Sequence, residues 1–164
     1  MNPEAKDYLA LFAEISVAVV ALSGIIMVLA VSGQKLARER VVHIATQLRI
    51  ALIVTVFALL PLLMTNFNLA AEWIWRIASG TYILFMIYIG FKLSRGAGNY
   101  GTLPGAARIA GNTVGLCGVV LMPLNIWLGQ PWPYLVQLML ALILSILLFL
   151  DFIYQVLGEN SEGD

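Results

Sequence analysis

The sequence predicts an all-α, polytopic membrane protein, a five-transmembrane-helix bundle with its N-terminus outside and its C-terminus cytoplasmic. Three observations carry that prediction. Of 164 residues, 61% are hydrophobic and 11% charged, against roughly a quarter charged in ordinary soluble domains. Apolar runs recur near 8–32, 46–66, 73–93, 109–128 and 134–157, each about 20 residues or a little longer, the length a helix needs to cross a ~30 Å hydrocarbon core. Finally, Lys35, Arg38, Arg40 and Arg49 lie in and beside the segment joining runs one and two, and Lys92, Arg95 and Arg108 in and beside the segment joining runs three and four, leaving only Lys6 and Arg76 for the opposite face. Short loops rich in Lys and Arg mark the cytoplasmic side, which implies the multi-pass topology of a cytoplasmic or inner cell membrane.

Helices follow from the solvent. A backbone polar group left unpaired in hydrocarbon costs several kcal/mol, and unbroken apolar runs lack the alternation of a membrane β-barrel. Nothing outside the runs reaches the ~50 residues of a separate soluble core, so residues 1–164 read as one membrane domain. The start, Met1 to Tyr8, has neither a basic n-region nor a small-residue cleavage pattern, and is not expected to be a removable signal.

Asn2-Pro3-Glu4 reads as an N-cap, a first-turn proline and an acid at the positive helix end, opening a short surface helix ahead of the first span. Within that span Glu14 needs compensation, because a carboxylate inside the bilayer costs a few kcal/mol. At helical spacing it shares a stripe with Ala10, Ala18 and Ala21, with Gly24 near the edge, and a small-sided polar stripe is expected to face protein or water. Ser16 and Ser23 fall on the opposite side, where each hydroxyl reaches a carbonyl one turn back. Two arrangements would accommodate Glu14. One is an ion pair with Arg76, at similar outer depth in the third span, and the other is a ring of Glu14 carboxylates from several subunits at a pore mouth.

Helix two has neither Gly nor Pro from Gln34 to Leu60 and is expected to run unbroken into the cytoplasm. Pro61 should splay its outer end and free a carbonyl for Thr65 or Asn66. Asn66-Phe67-Asn68 reads as an outer turn with Asn68 capping helix three. Trp73, Trp75, Trp127 and Trp132 all fall at the outer boundary, where amphipathic rings form a belt at headgroup level.

The loop after helix three contains Gly96-Ala97-Gly98-Asn99-Tyr100-Gly101. It matches a dinucleotide fingerprint in letters only, since it follows a membrane span and has no acid in range. Helix four carries Gly111, Gly115, Gly118, Met122 and Asn125 on one face, including a G-x-x-x-G step suited to close helix packing. Pro123 should bend it and bring Asn125 into an outer polar cluster with Asn66, Arg76 and Glu14. Asn112 and Gln137 are expected to hydrogen-bond across helices. Gln130-Pro131-Trp132-Pro133 is a rigid turn into helix five, with Pro133 as a first-turn residue. Toward the inner end of helix five, Asp151 is placed to pair with Arg49, Lys92 or Arg108. The acidic tail from Gly158 closes the chain.

Composition also narrows function. One His, one Cys and widely separated intramembrane acids are too few for the ligand clusters and acid–base pairs of membrane enzymes, so no enzyme activity, metal or cofactor is expected. Cys117 reads as a small buried apolar residue, and His43 as an interfacial histidine. A formal net charge of zero argues against nucleic acid as a partner. The expected partners are the lipid bilayer, further copies of the chain and a possible second membrane subunit. The leading functional expectation is a homo-oligomer, most concretely a cation-conducting channel whose first helix lines the pore with Glu14 outermost, Ala18 below it and an apolar gate beyond Ala21. The alternative is a non-conducting structural or partner-binding subunit.

Overall fold

The computed structural model describes residues 2–31, 38–67, 69–95 and 105–160. It is all-helical: α1 Pro3–Val31, α2 Arg38–Met64, a single 3-10 turn Thr65–Phe67, α3 Ala71–Arg95, α4 Gly105–Leu128 and α5 Pro131–Asn160. Four of these carry a stretch long and apolar enough to cross a membrane, namely Pro3–Ile26, Ile44–Phe67, Ile109–Leu128 and Pro131–Tyr154. The fifth expected span, α3, forms as a helix of 25 residues but is not among those four, which were found within the described residues.

Local chemistry sets the helix ends. Asn2 caps α1, its side-chain oxygen accepting the Glu4 N–H at 3.2 Å. There is no separate surface helix before the first span, since α1 is continuous from Pro3. The C-terminus of α4 closes on Gly129, whose φ of 65° is the left-handed conformation that only glycine adopts without strain. Its N–H returns to the Asn125 carbonyl at 2.8 Å, satisfying one of the carbonyls a helix end leaves open. Helix α5 then begins at Pro131, two residues earlier than the expected Pro133. Asn68, the expected cap of α3, lies outside the described residues.

Helix α5 is the centre of the bundle and touches all four others, whereas α1 packs on α2 and α5, and α3 chiefly on α4. Cross-helix bonds give the directions. Tyr134 meets Phe57 while Ser145 meets Gln47, so α2 and α5 are antiparallel. Ser79 meets Asn125 while Tyr82 and Val114 both meet Gln137, so α3 and α4 are antiparallel too. Leu9, Ala13, Phe57, Ala58, Trp75, Ala78, Tyr82, Met122, Tyr134 and Leu138 form a core drawn from all five helices. Phe57 and Tyr82 pack edge to face with centroids 4.9 Å apart. The outward surface is apolar along much of its length: Val28, Leu84, Leu116 and Val120 are each about two-thirds exposed. A surface of that kind is stable against lipid and not against water.

Candidate functional site

The polar side chains within the apolar helices fall into three groups. The first is the outward face of α1. Glu14 is exposed on it, as are Asp7, Leu11, Ala18, Ala21, Ile25 and Val28. These residues recur at alternating spacings of four and three, the period of a helix seam that meets another helix. No ion pair or hydrogen bond to the Glu14 carboxylate occurs among the described residues. The opposite face, with Leu9, Ala13, Ser16, Val19 and Ser23, is the one buried in the bundle. Both serines bond back within α1, Ser16 to the Ala13 carbonyl at 3.0 Å and Ser23 to the Val19 carbonyl at 2.6 Å. Ser16 also reaches α2, its hydroxyl lying 2.7 Å from that of Thr55. The small Glu14 stripe is thus not an intrachain interface, and the serine face is.

The second group is a corner at one end of the bundle, built by α3, α4 and the turn into α5. Asn125 is fully buried and works in two directions: its amide nitrogen donates to the Ser79 hydroxyl at 2.8 Å, and its carbonyl oxygen accepts the Gln130 N–H at 3.1 Å. This brace holds Gly129 against Arg76, so closely that a Cβ on Gly129 would lie 3.1 Å from the Arg76 Nε. The Arg76 guanidinium faces the Glu72 carboxylate at 3.7 Å on its own helix and lies 5.5 Å from the centre of the Trp73 ring. It therefore joins Glu72 and not Glu14. Asn66 is exposed at the end of α2. Of the expected outer cluster, Asn125 and Arg76 come together around Gly129, while Glu14 and Asn66 belong to other surfaces.

The third group is a buried hydrogen-bonded array across the bundle. Pro61 has no N–H to offer the Phe57 carbonyl one turn back, so that carbonyl is free of its helical partner. The Tyr134 hydroxyl, fully buried, donates to it at 2.7 Å. Thr65, a residue expected to serve that carbonyl, bonds Leu62 instead. One turn further along α5, the Gln137 amide nitrogen donates to the Tyr82 hydroxyl at 3.0 Å and the Val114 carbonyl at 3.2 Å. Gly118 makes room for that amide, since a Cβ there would lie 3.0 Å from its nitrogen. Deeper still, the Ser145 hydroxyl donates to the main-chain carbonyl of Gln47 at 3.3 Å. Gln137 bonds across helices as its place in an apolar run predicts, whereas Tyr82, Tyr134, Gln47 and Ser145 are not legible as members of this array; Pro61 announces an orphan carbonyl but not its donor.

The glycine face of α4 divides along its length. Gly118, Met122 and Asn125 are buried against α3 and α5, whereas a Cβ on Gly111 or Gly115 would meet nothing within 4 Å, and the same holds for Gly24 of α1. The G-x-x-x-G step is consequently open in the single chain. Asn112, expected to bond across helices, is exposed. At the other end of the bundle Arg49 is exposed and Asp151 half-buried. The side chains of Lys92 and Arg108, His43, and the loop from Gly96 to Gly101 lie outside the described residues.

Hydrogen bonding and charge pairing are what these groups do; among the described residues no three His, Cys, Asp or Glu side chains converge as metal ligands would. Compared with known proteins, the chain matches no protein-family model, no curated protein and no solved structure.

Proposed function

We propose that the chain is a small integral membrane subunit that works as a homo-oligomer, with the Glu14 face of α1 turned toward a shared axis and conducting cations along it. In this reading all five helices span a cytoplasmic-type membrane, α3 included, with Ser79 of its first half bonded to Asn125 of α4. The basic segments around 35–49 and 92–108 face the cytoplasm and the N-terminus lies outside.

The observation that supports it most is the position of Glu14. The carboxylate is exposed on the surface of the single chain, between Leu11 and Ala18 on a seam with helix-pairing period. An intramembrane acid facing acyl chains costs a few kcal/mol per copy, a cost removed when copies enclose it with water. Buried Ser16, Ser23, Ser79, Asn125, Gln137 and Ser145 each make at least one hydrogen bond within the chain, although the Gln47 amide nitrogen and the Gln137 amide oxygen find no partner among the described residues; this favours an aqueous path between copies over one within a chain. A ring of Glu14 carboxylates would concentrate cations at the outer mouth, and Ala18 and Ala21 leave width below it. Ile25 and Val28, the next residues on the same face, supply an apolar constriction.

A second reading, a non-conducting subunit that docks another membrane protein, is favoured by one feature: Gly111 and Gly115 are open to close approach of a further helix. One experiment separates the two. Purified protein is weighed in detergent and reconstituted in planar bilayers, wild type beside Glu14→Gln. The pore reading expects a multimer, cation-selective current, and loss of most of that selectivity on Glu14→Gln. A strict monomer, or a multimer silent in bilayers, removes it and leaves the docking reading.

A further inference from the structure

We infer that Arg76 and the brace beneath it form a binding site for the phosphate of a phospholipid headgroup. The inference rests on the chain being embedded in a membrane and not on any pore.

A guanidinium carries five N–H donors, and those of Arg76 are poorly used. Its Nη2 reaches the Trp127 carbonyl at 3.5 Å and the Glu72 carboxylate at 3.7 Å, both long against the ~2.7–2.9 Å of a charge-assisted bond. Its Nε is buried with no partner. The Glu72 side chain is 69% exposed, so its attraction is weakened by water, and the Arg76 side chain keeps 33% of its surface open.

The group is nevertheless held in place. Gly129 backs the Nε at a position where a side chain would intrude, and Trp73 flanks the guanidinium. The Gly129 turn is itself pinned by Asn125 to Ser79 and to Gln130. A fixed cation with uncommitted donors is already organised for an oxyanion, with little side-chain entropy left to lose.

The surroundings name the anion. Trp73 is 55% and Trp127 78% exposed at the same end of the bundle, and exposed tryptophans stand at the level of lipid headgroups. The anion abundant at that depth is the phosphodiester, which stays ionised and whose oxygens accept from the guanidinium N–H groups beside the buried Nε. Free inorganic phosphate shares that chemistry but is dilute and brings no acyl chains to lie against the two indoles.

The test uses the full chain in mixed micelles and reads quenching of its tryptophan fluorescence by brominated lipids. The probes are a phosphatidylglycerol with brominated acyl chains and a diacylglycerol with the same chains and no phosphate. The wild type is expected to prefer the phospholipid by roughly tenfold, the size of one hydrogen bond to a charged group. Arg76→Gln should bring that ratio close to parity, with Arg76→Lys in between. Glu72→Gln, at an exposed position, should raise the ratio by removing the competing carboxylate, and it keeps the test alive if Arg76→Gln fails to fold. A ratio unchanged by Arg76→Gln, or not raised by Glu72→Gln, overturns the proposal. Loss of the preference in excess inorganic phosphate would assign the site to the free ion and overturn it as a lipid site.

Discussion

Replacing Tyr134 with Phe removes one oxygen and little volume, so its effect isolates a single hydrogen bond. That bond is unusual because its acceptor has no substitute. The Phe57 carbonyl lost its helical donor to Pro61 and accepts the Tyr134 hydroxyl at 2.7 Å in a fully buried setting. Interhelical hydrogen bonds in membrane proteins average only about 0.6 kcal/mol, since the alternative state finds other partners. A buried carbonyl left unpaired costs more, about 1–3 kcal/mol, and the upper part of that range is expected for Tyr134→Phe. The assay is equilibrium unfolding in mixed micelles, run as a double-mutant cycle with Pro61→Ala. Alanine restores the N–H to position 61, so in that background the carbonyl regains a donor and Tyr134→Phe should cost well under half as much. Equal costs in the two backgrounds would refute the link between the proline and the tyrosine.

Two further substitutions probe packing. Gly118→Ala places a Cβ 3.0 Å from the Gln137 amide nitrogen, which its two hydrogen bonds hold in place, and should cost about 1–3 kcal/mol in the same unfolding measurement. Gly111→Ala meets nothing within 4 Å and should leave monomer stability unchanged within error; an equal loss at both positions would contradict the division of the glycine face. Asn125→Leu severs the Ser79 and Gln130 bonds together, with an expected loss of about 2–4 kcal/mol, two bonds' worth near the buried limit. Limited proteolysis of this variant should show cleavage in the turn between α4 and α5, and an uncut turn would mean that Asn125 is not its brace.

How much could be read in advance differs by residue. Asn2 was legible as a cap because capping is a contact between neighbours in sequence. Pro61 is legible as the source of an unpaired carbonyl for the same reason, whereas α4 runs on through Pro123; Asn125 is marked by being polar inside an apolar run. Tyr134 was not, because a tyrosine near a helix end reads equally well as an interfacial aromatic. Glu14 needs a partner on sequence grounds and Arg76 is one candidate, yet period and depth leave open whether they meet. Position around the bundle decides that: α1 packs against α2 and α5 while α3 packs chiefly on α4, and Arg76 turns to Glu72 on its own helix.

Composition and period alone determined that this chain is helical, where its apolar helices run and which polar residues stand out inside them, because those properties depend on neighbours a few residues apart and on the solvent. The tertiary structure decided which face of each helix is covered. On α1 both the serine face and the Glu14 face are mixtures of small, polar and apolar side chains with the same period, and hydropathy cannot rank them. The choice went to the serine face because Ser16 finds Thr55 and Leu9 and Ala13 join a core shared by five helices, whereas the Glu14 carboxylate finds no partner among the described residues. Such pairings depend on residues distant in sequence, and packing is what brings them together.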